Sequence, residues 1–150
     1  MITIERTTAE NDIFKELVIK LDSFLSITDG DEHEFYDQFN KLDTIQHVVL
    51  AFDNNKAVAC GAIKPYKNAV IEIKRMFTLP ECRGKGVAST ILKELEIWAL
   101  ELNFTSCILE TGVNQVEAIG LYKKNNYTVI ANYPPYENAE NSICFEKKLK

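Results

Sequence analysis

The stretch Arg83-Gly84-Lys85-Gly86-Val87-Ala88 constrains the fold of this chain more than any other segment. It follows a strand-like apolar run, residues 70–79, and a turn at Pro80-Glu81-Cys82. Beyond it, apolar side chains recur at the spacing of one helical face, at Val87, Ile91, Leu95, Trp98 and Leu102. The segment is therefore a loop that connects a strand to the beginning of a helix.

Such a loop is suited to binding an anion. The first turn of a helix has unpaired N–H groups and the positive end of the helix dipole, which together attract negative charge. Gly84 and Gly86 have no side chains to keep an anion away, and Arg83 and Lys85 add positive charge. The sequence predicts a cradle for a pyrophosphate.

Two other phosphate-binding loops fit less well. A P-loop, G-x-x-x-x-G-K-[ST], needs an earlier glycine that is missing before Lys85, and no hydroxyl residue follows the lysine to bind magnesium. A dinucleotide fingerprint needs glycine or alanine at Ser89, and residues 80–83 separate the glycines from the strand. Glu110 keeps this second alternative open as a candidate ribose ligand.

Length and composition limit the class of protein. The 150 residues fit one domain, residues 1–150, and 46% hydrophobic with 26% charged residues is typical of a globular protein. A formal charge of −5 argues against a nucleic-acid partner. No apolar run reaches the length of a membrane span and the N-terminus does not resemble a secretion signal, so we expect a cytoplasmic protein without a membrane partner.

The cysteines and histidines do not form a metal motif. Cys60, Cys82, Cys107 and Cys144 are too scattered for metal-binding spacing, and there are only two histidines, so we expect no metal site. Cys60, Cys107 and Cys144 lie in strand-like runs, which predicts buried thiols.

Hydrophobic periodicity predicts a mixed α/β domain. We predict strands at residues 2–5, 46–52, 56–63, 69–79, 105–109, 127–131 and 142–149, and helices at residues 14–25, 35–42, 84–102 and 115–124. The strands at residues 46–52, 56–63 and 69–79 would be antiparallel. The helix at residues 84–102 connects two strands as a crossover, which makes those strands parallel, and ligands bind at the carboxyl ends of such strands.

The chain resembles the GNAT acetyltransferase superfamily, whose acetyl-CoA signature [RQ]-x-x-G-x-[GA] is matched by Arg83, Gly86 and Ala88. The resemblance extends through residues 71–76, 109–112 and 118–127. It implies a GNAT-like acyl-CoA N-acyltransferase fold, with an antiparallel first half and a central parallel strand pair flanked by helices. It also implies a homodimer as one form of assembly.

The resemblance implies how acetyl-CoA is bound. The two parallel strands would splay apart, so that the main chain of Met76, Phe77 and Thr78 pairs with the pantetheine arm. The diphosphate would bind the loop of Arg83, Gly84, Lys85, Gly86, Val87 and Ala88. Asn114 would lie near the same arm, although it also fits as a helix cap.

Two residues are candidates for the chemistry. Glu72 interrupts an apolar strand and resembles the general base of several GNAT enzymes; it fits equally well as a sheet acid paired with Lys74 or Arg75. Glu110 is the reserve base. Tyr122 resembles the tyrosine that protonates the departing thiolate, or else it is a core aromatic.

The predicted activity is an N-acetyltransferase that transfers acetyl from acetyl-CoA to a primary amine of a small molecule or peptide. The alternative is a non-catalytic acyl-CoA-binding module. Acids at residues 29–34 would suit a cationic acceptor but also fit the beginning of a helix. Tyr133-Pro134-Pro135-Tyr136 forms either a wall of the acceptor pocket or only a stiff turn.

Overall fold

The computed structural model describes residues 1–28 and 45–149. In these residues seven strands form one sheet: β1 (Ile2–Thr7), β2 (His47–Asp53), β3 (Lys56–Lys67), β4 (Val70–Thr78), β5 (Ser106–Gly112), β6 (Thr128–Ile130) and β7 (Ser142–Lys148). Their order across the sheet is β1-β2-β3-β4-β5-β7-β6. All neighbours are antiparallel except β4 and β5, which are parallel. The predicted mixed α/β fold is confirmed.

Three α-helices are described in the same residues: α1 (Asp12–Thr28), α2 (Val87–Glu101) and α3 (Val116–Lys124). Helix α1 begins where the Asn11 side-chain oxygen accepts hydrogen bonds from the backbone N–H groups of Ile13, at 2.8 Å, and Phe14, at 3.1 Å. None of the helices in the described part of the chain is long and apolar enough to cross a membrane.

Helix α2 packs tightly against the antiparallel half of the sheet. Its side chains Ile91, Leu92 and Leu95 are fully buried. A Cβ placed on Gly61 of β3 would lie 2.5 Å from the Met76 sulfur and 2.7 Å from an Ile91 methyl. Gly61 therefore lets the helix approach the sheet, which fixes the position of the helix's amino end beside β4.

The central strand pair is short. Strands β4 and β5 pair only where residues 70–72 meet residues 106–108. Beyond this point, β5 continues its pairing with β7 and β4 continues its pairing with β3. Among the described residues, the downstream half of β4 has no strand partner on its β5 side. The strands splay apart as the resemblance implied.

Several predicted boundaries were wrong by a few residues. Helix α2 begins at Val87, not at Gly84, because Gly84 and Gly86 both have φ of 80°, outside the helical region. Strand β3 continues through Pro65, and β1 pairs with β2, so the antiparallel half has four strands. The helix predicted at residues 35–42 lies outside the described residues.

Candidate active site

A cavity of about 730 Å³ opens where the carboxyl ends of β4 and β5 meet the amino ends of α2 and α3. Leu21, Phe24 and Leu25 of α1 form part of its wall. Most of the predicted site residues line this one cavity: Glu72, Met76, Phe77, Thr78, Arg83, Gly84, Gly86, Val87, Ala88, Glu110 and Tyr122. The structure thus brings together residues from two strands, two helices and the glycine loop.

The glycine loop leaves open space at the beginning of α2. Gly84 and Gly86 both have a positive φ of 80°, which glycine adopts without strain. A Cβ on either would meet no atom within 4 Å. Gly86 is the N-cap residue, and no side chain of the described residues caps the helix there. The first N–H groups of α2 are therefore placed to bind an anion.

Arg83 is held beside this loop. Its Nε donates a hydrogen bond of 3.0 Å to the Thr78 carbonyl oxygen, and its guanidinium lies 5.0 Å from the centre of the Phe24 ring. A weaker ion pair of 3.6 Å joins it to the exposed Glu117. These contacts fix a positive charge at the cavity between β4 and α1.

Lys85 and Asn114 lie apart from the other predicted residues. Both side chains are exposed and neither lines the cavity. Asn114 does not cap α3 either, because the N-cap residue is Gln115. Their contacts with the cofactor stay predictions. Of the predicted cofactor-binding residues, these two do not line the cavity.

A bulge interrupts β4 at the point where the strands splay. Cys60 pairs with Phe77 while Ala62 pairs with Lys74, so β4 has one residue more than β3 in this interval. The extra residue turns the backbone at Arg75, whose φ is 57°. The bulge redirects the main chain of Met76 and Phe77 along the wall of the cavity.

Glu72 is a buried carboxylate at the last residue of the parallel pairing, with 7% of its surface exposed. Its Oε2 accepts a hydrogen bond of 2.6 Å from the Tyr133 hydroxyl. Its Oε1 lies 3.8 Å from Lys74 Nζ, and burial lowers the pKa of Lys74 while Glu72 opposes that change. The predicted pairing of Glu72 with Lys74 is therefore present, and Glu72 also lines the cavity.

Glu110 lies on β5, two residues beyond Ile108, the parallel partner of Glu72. It accepts a hydrogen bond of 2.7 Å from the Ser142 hydroxyl and lines the cavity near the end of β5. It is less buried than Glu72. The cavity therefore contains both candidate bases, together with the exposed Glu117, and the more buried of the two candidates is the primary one of the sequence.

Tyr122 is a core aromatic residue that lies at the wall of the cavity. Its ring packs against Tyr127, with centroids 5.8 Å apart, and against Phe145, at 5.9 Å, so it is part of the core. It also lines the cavity. Burial raises the pKa of the Tyr122 phenol, and the Glu110 carboxylate raises it further. The hydroxyl therefore keeps its proton in the neutral pH range and is a potential donor.

The turn after α3 contains a residue with positive φ, and the buried cysteines agree with expectation. Asn126 adopts a φ of 73°, in the left-handed region that asparagine tolerates better than most residues. Cys60, Cys107 and Cys144 are free and buried, as predicted. Burial raises the pKa of the Cys60 and Cys107 thiols to about 12, so neither is a reactive thiolate at neutral pH.

Two features of the cavity were not predicted. The first is the hydrogen bond between Tyr133 and Glu72, which joins residues 61 positions apart in the chain. The second is the ion pair of 2.6 Å between Arg75 and Asp22 of α1. The Tyr133-Pro134-Pro135-Tyr136 motif was predicted to form either a wall of the acceptor pocket or only a stiff turn. No sequence pattern identified Glu72 as the partner of Tyr133, or Asp22 as the partner of Arg75.

Comparison with known proteins identifies the class. The profile of the Acetyltransferase (GNAT) family matches residues 14–127, and the chain belongs to this family. It is an acyltransferase of that family, as the resemblance implied.

Individual relatives resemble the chain over its whole length. IAA acetyltransferase of Azospirillum brasilense is 28% identical over 150 residues, which cover 99% of this chain and 98% of the relative. A Klebsiella pneumoniae protein described as an acyl-CoA N-acyltransferase is also 28% identical, with a TM-score of 0.84, covering 100% of this chain and 99% of that one. The PaiA N-acetyltransferase of Thermoplasma acidophilum, solved with coenzyme A, shares the fold at 17% identity and a TM-score of 0.73, covering 99% of each chain.

Proposed function

We propose that this protein transfers the acetyl group of acetyl-CoA to a primary amine of a small molecule or peptide, by direct attack within a ternary complex. The main support is that the glycine loop, the free edge of β4, Glu72 and Tyr122 all line one cavity. A cytoplasmic location and a homodimer stay predictions from the sequence.

The donor would be held mainly by main-chain groups. The N–H groups at the beginning of α2, with Arg83 beside them, would bind the diphosphate. The unpaired edge of β4 would bind the amide groups of the pantetheine arm as a strand partner does. That PaiA of Thermoplasma acidophilum was solved with coenzyme A supports this choice of ligand.

The acceptor amine must lose a proton to react. An alkyl ammonium has a pKa of about 10.4, so a base is needed at neutral pH. Glu72 would accept that proton, directly or through water, while the amine nitrogen attacks the thioester carbonyl carbon. As the new C–N bond forms and the C–S bond breaks, the Tyr122 hydroxyl would give its proton to the leaving thiolate. The second proton that the nitrogen loses on forming the amide would restore the Tyr122 hydroxyl, directly or through water.

A screen of amine acceptors, followed by release of free thiol from acetyl-CoA, tests the proposal. Glu72→Gln is expected to lower kcat by about 100-fold or more, and Tyr122→Phe by about tenfold, because each removes a proton-transfer group. Both variants should bind coenzyme A as the native protein does in calorimetry. Glu110→Gln is the matched control, and a larger loss there would assign the base to Glu110.

Two results would contradict the proposal. If none of the amines in a broad panel caused thiol release, that result would argue against catalysis. Retained coenzyme A binding in that case would favour the acyl-CoA-binding module. Competition by NAD for the coenzyme A site would support the dinucleotide alternative instead.

A further inference from the structure

The loop between β6 and β7 reaches over the sheet to the candidate base. Its residue Tyr133 donates a hydrogen bond of 2.6 Å to Glu72 Oε2, and both residues are buried, with 9% and 7% of their surfaces exposed. We propose that Tyr133 is a positioning residue that holds the Glu72 carboxylate in one orientation for proton transfer. This inference rests on the role of Glu72 in the proposed function.

The geometry leaves one oxygen of Glu72 for the reaction. Oε2 is engaged by Tyr133, and Oε1 lies 3.8 Å from Lys74 Nζ, beyond hydrogen-bond distance. A carboxylate free to rotate about its Cγ–Cδ bond would present either oxygen to the amine, and part of its population would be in orientations unsuited to proton transfer. The bond to Tyr133 restricts that rotation and directs Oε1 away from the phenol.

The loop that carries Tyr133 is fixed at several points. The Tyr133 ring packs edge to face against Tyr66, with centroids 5.2 Å apart, and against Tyr136, at 5.7 Å. The Tyr66 hydroxyl donates to the Pro134 carbonyl oxygen at 3.0 Å. The Asn132 side-chain amide lies 3.2 Å from three loop carbonyl oxygens. The hydroxyl of Tyr133 is therefore presented to Glu72 by a rigid support.

The protonation states are consistent with a permanent donor. Burial raises the pKa of the Tyr133 phenol, and Glu72 raises it further, so the hydroxyl keeps its proton over the working pH range. A hydrogen bond to a carboxylate favours its charged form and offsets the cost of burial. In the described part of the chain, the other titratable groups that interact with Glu72 are Tyr66 on β3, Lys74 on β4 and Cys144 on β7, and Glu110 on β5 acts on Lys74 and Cys144 as Glu72 does.

Tyr133→Phe, compared with Tyr136→Phe, tests the inference, because both remove a buried phenol oxygen from the same loop. Tyr133→Phe is expected to lower kcat about tenfold or more, since a hydrogen bond to a charged group is lost. It should also move the acidic limb of the pH profile of kcat/KM to higher pH. Tyr136→Phe should leave the limb in place, and the KM for acetyl-CoA should change little in either variant.

The double variant Glu72→Gln, Tyr133→Phe shows whether Tyr133 affects kcat by positioning Glu72 or independently of Glu72. If Tyr133 acts through Glu72, removing its hydroxyl should cost little further kcat once the carboxylate is gone. An equal loss in both backgrounds, or a Tyr133→Phe profile that keeps its acidic limb, would overturn the inference while leaving the proposed function intact.

A second measurement needs no acceptor. The carboxyl carbon resonance of isotope-labelled Glu72, assigned by its absence in Glu72→Gln, should shift in Tyr133→Phe, because the carboxylate loses a hydrogen bond, and stay in place in Tyr136→Phe. A protein that shows this shift but no turnover with any amine would refute the proposed function and not the Tyr133–Glu72 coupling. An unchanged resonance in Tyr133→Phe would refute the coupling.

Discussion

Arg75 occupies a conformation and an environment that both cost free energy. Its φ of 57° lies in the left-handed region, which costs a non-glycine residue about 1–2 kcal/mol. Its guanidinium is 2% exposed, and among the described residues its Nε and Nη1 have no hydrogen-bond partner. Within the described residues the guanidinium donates one hydrogen bond, of 2.6 Å, to Asp22, and this pair connects α1 to the bulge of β4.

We expect Asp22→Asn to destabilise the protein by about 1–2 kcal/mol, because a buried cation loses the charge that compensates it. Asp22 is itself 38% exposed, and solvent screening keeps the effect below that of a fully buried pair. Urea unfolding measures the change. Asp53→Asn, which breaks the exposed pair with the N-terminal amine, is the control and should have no measurable effect; equal effects of the two variants would contradict the importance of the buried pair.

At the scale of elements, the beginning of α2 depends on backbone freedom at Gly86. Gly86→Ala is expected to destabilise the protein by about 1 kcal/mol, because its φ of 80° strains an alanine although space for the methyl group exists. It should also raise the KM for acetyl-CoA, since the shifted backbone misplaces the N–H groups at the helix start. Thermal unfolding and steady-state kinetics measure the two effects.

Gly120→Ala in α3 is the matched control for stability. A Cβ there would also meet no atom within 4 Å, but the residue lies inside a helix and has no positive φ. Alanine should therefore stabilise the protein by about 0.5–1 kcal/mol. If both variants changed stability in the same direction, the strain attributed to Gly86 would be absent.

Features of the helices, strands and loops that depend on local sequence were predictable, and those that depend on contacts between distant segments were not. The loop at residues 83–88 was predictable because glycine spacing and helical periodicity are local signals. The bulge at Arg75 was not, because β4 itself contains no glycine and the φ of Arg75 follows from the pairing of β3 with β4. The contact of Tyr133 with Glu72 depends on how a loop folds back over β4, and no local pattern records such a contact.

At the scale of the whole molecule, burial leaves several weak acids neutral in the folded state. Burial raises the pKa values of Cys60 and Cys107 from 9.0 to about 12. It also raises those of the phenols Tyr122, Tyr127 and Tyr133 above their ordinary value of 10.0. Tyr127 is further held by its hydrogen bond of 2.9 Å to Glu96. The unfolded chain would ionise all five groups at lower pH than the folded protein does.

We therefore expect the free energy of unfolding to fall as the pH rises from about 9 toward 12, the range between the unfolded and folded pKa values of Cys60 and Cys107. A group whose folded pKa is raised contributes stability that is complete below its unfolded pKa and is lost as pH rises through its folded pKa. Lys74, whose pKa is lowered by burial, acts in the opposite direction, but it is one group against the five named above. Urea unfolding at several pH values gives the slope, and the phenolate absorbance of the buried tyrosines should appear together with unfolding. Tyr122→Phe should reduce the slope, and a stability that stayed constant over this range would show that these groups ionise in the folded protein.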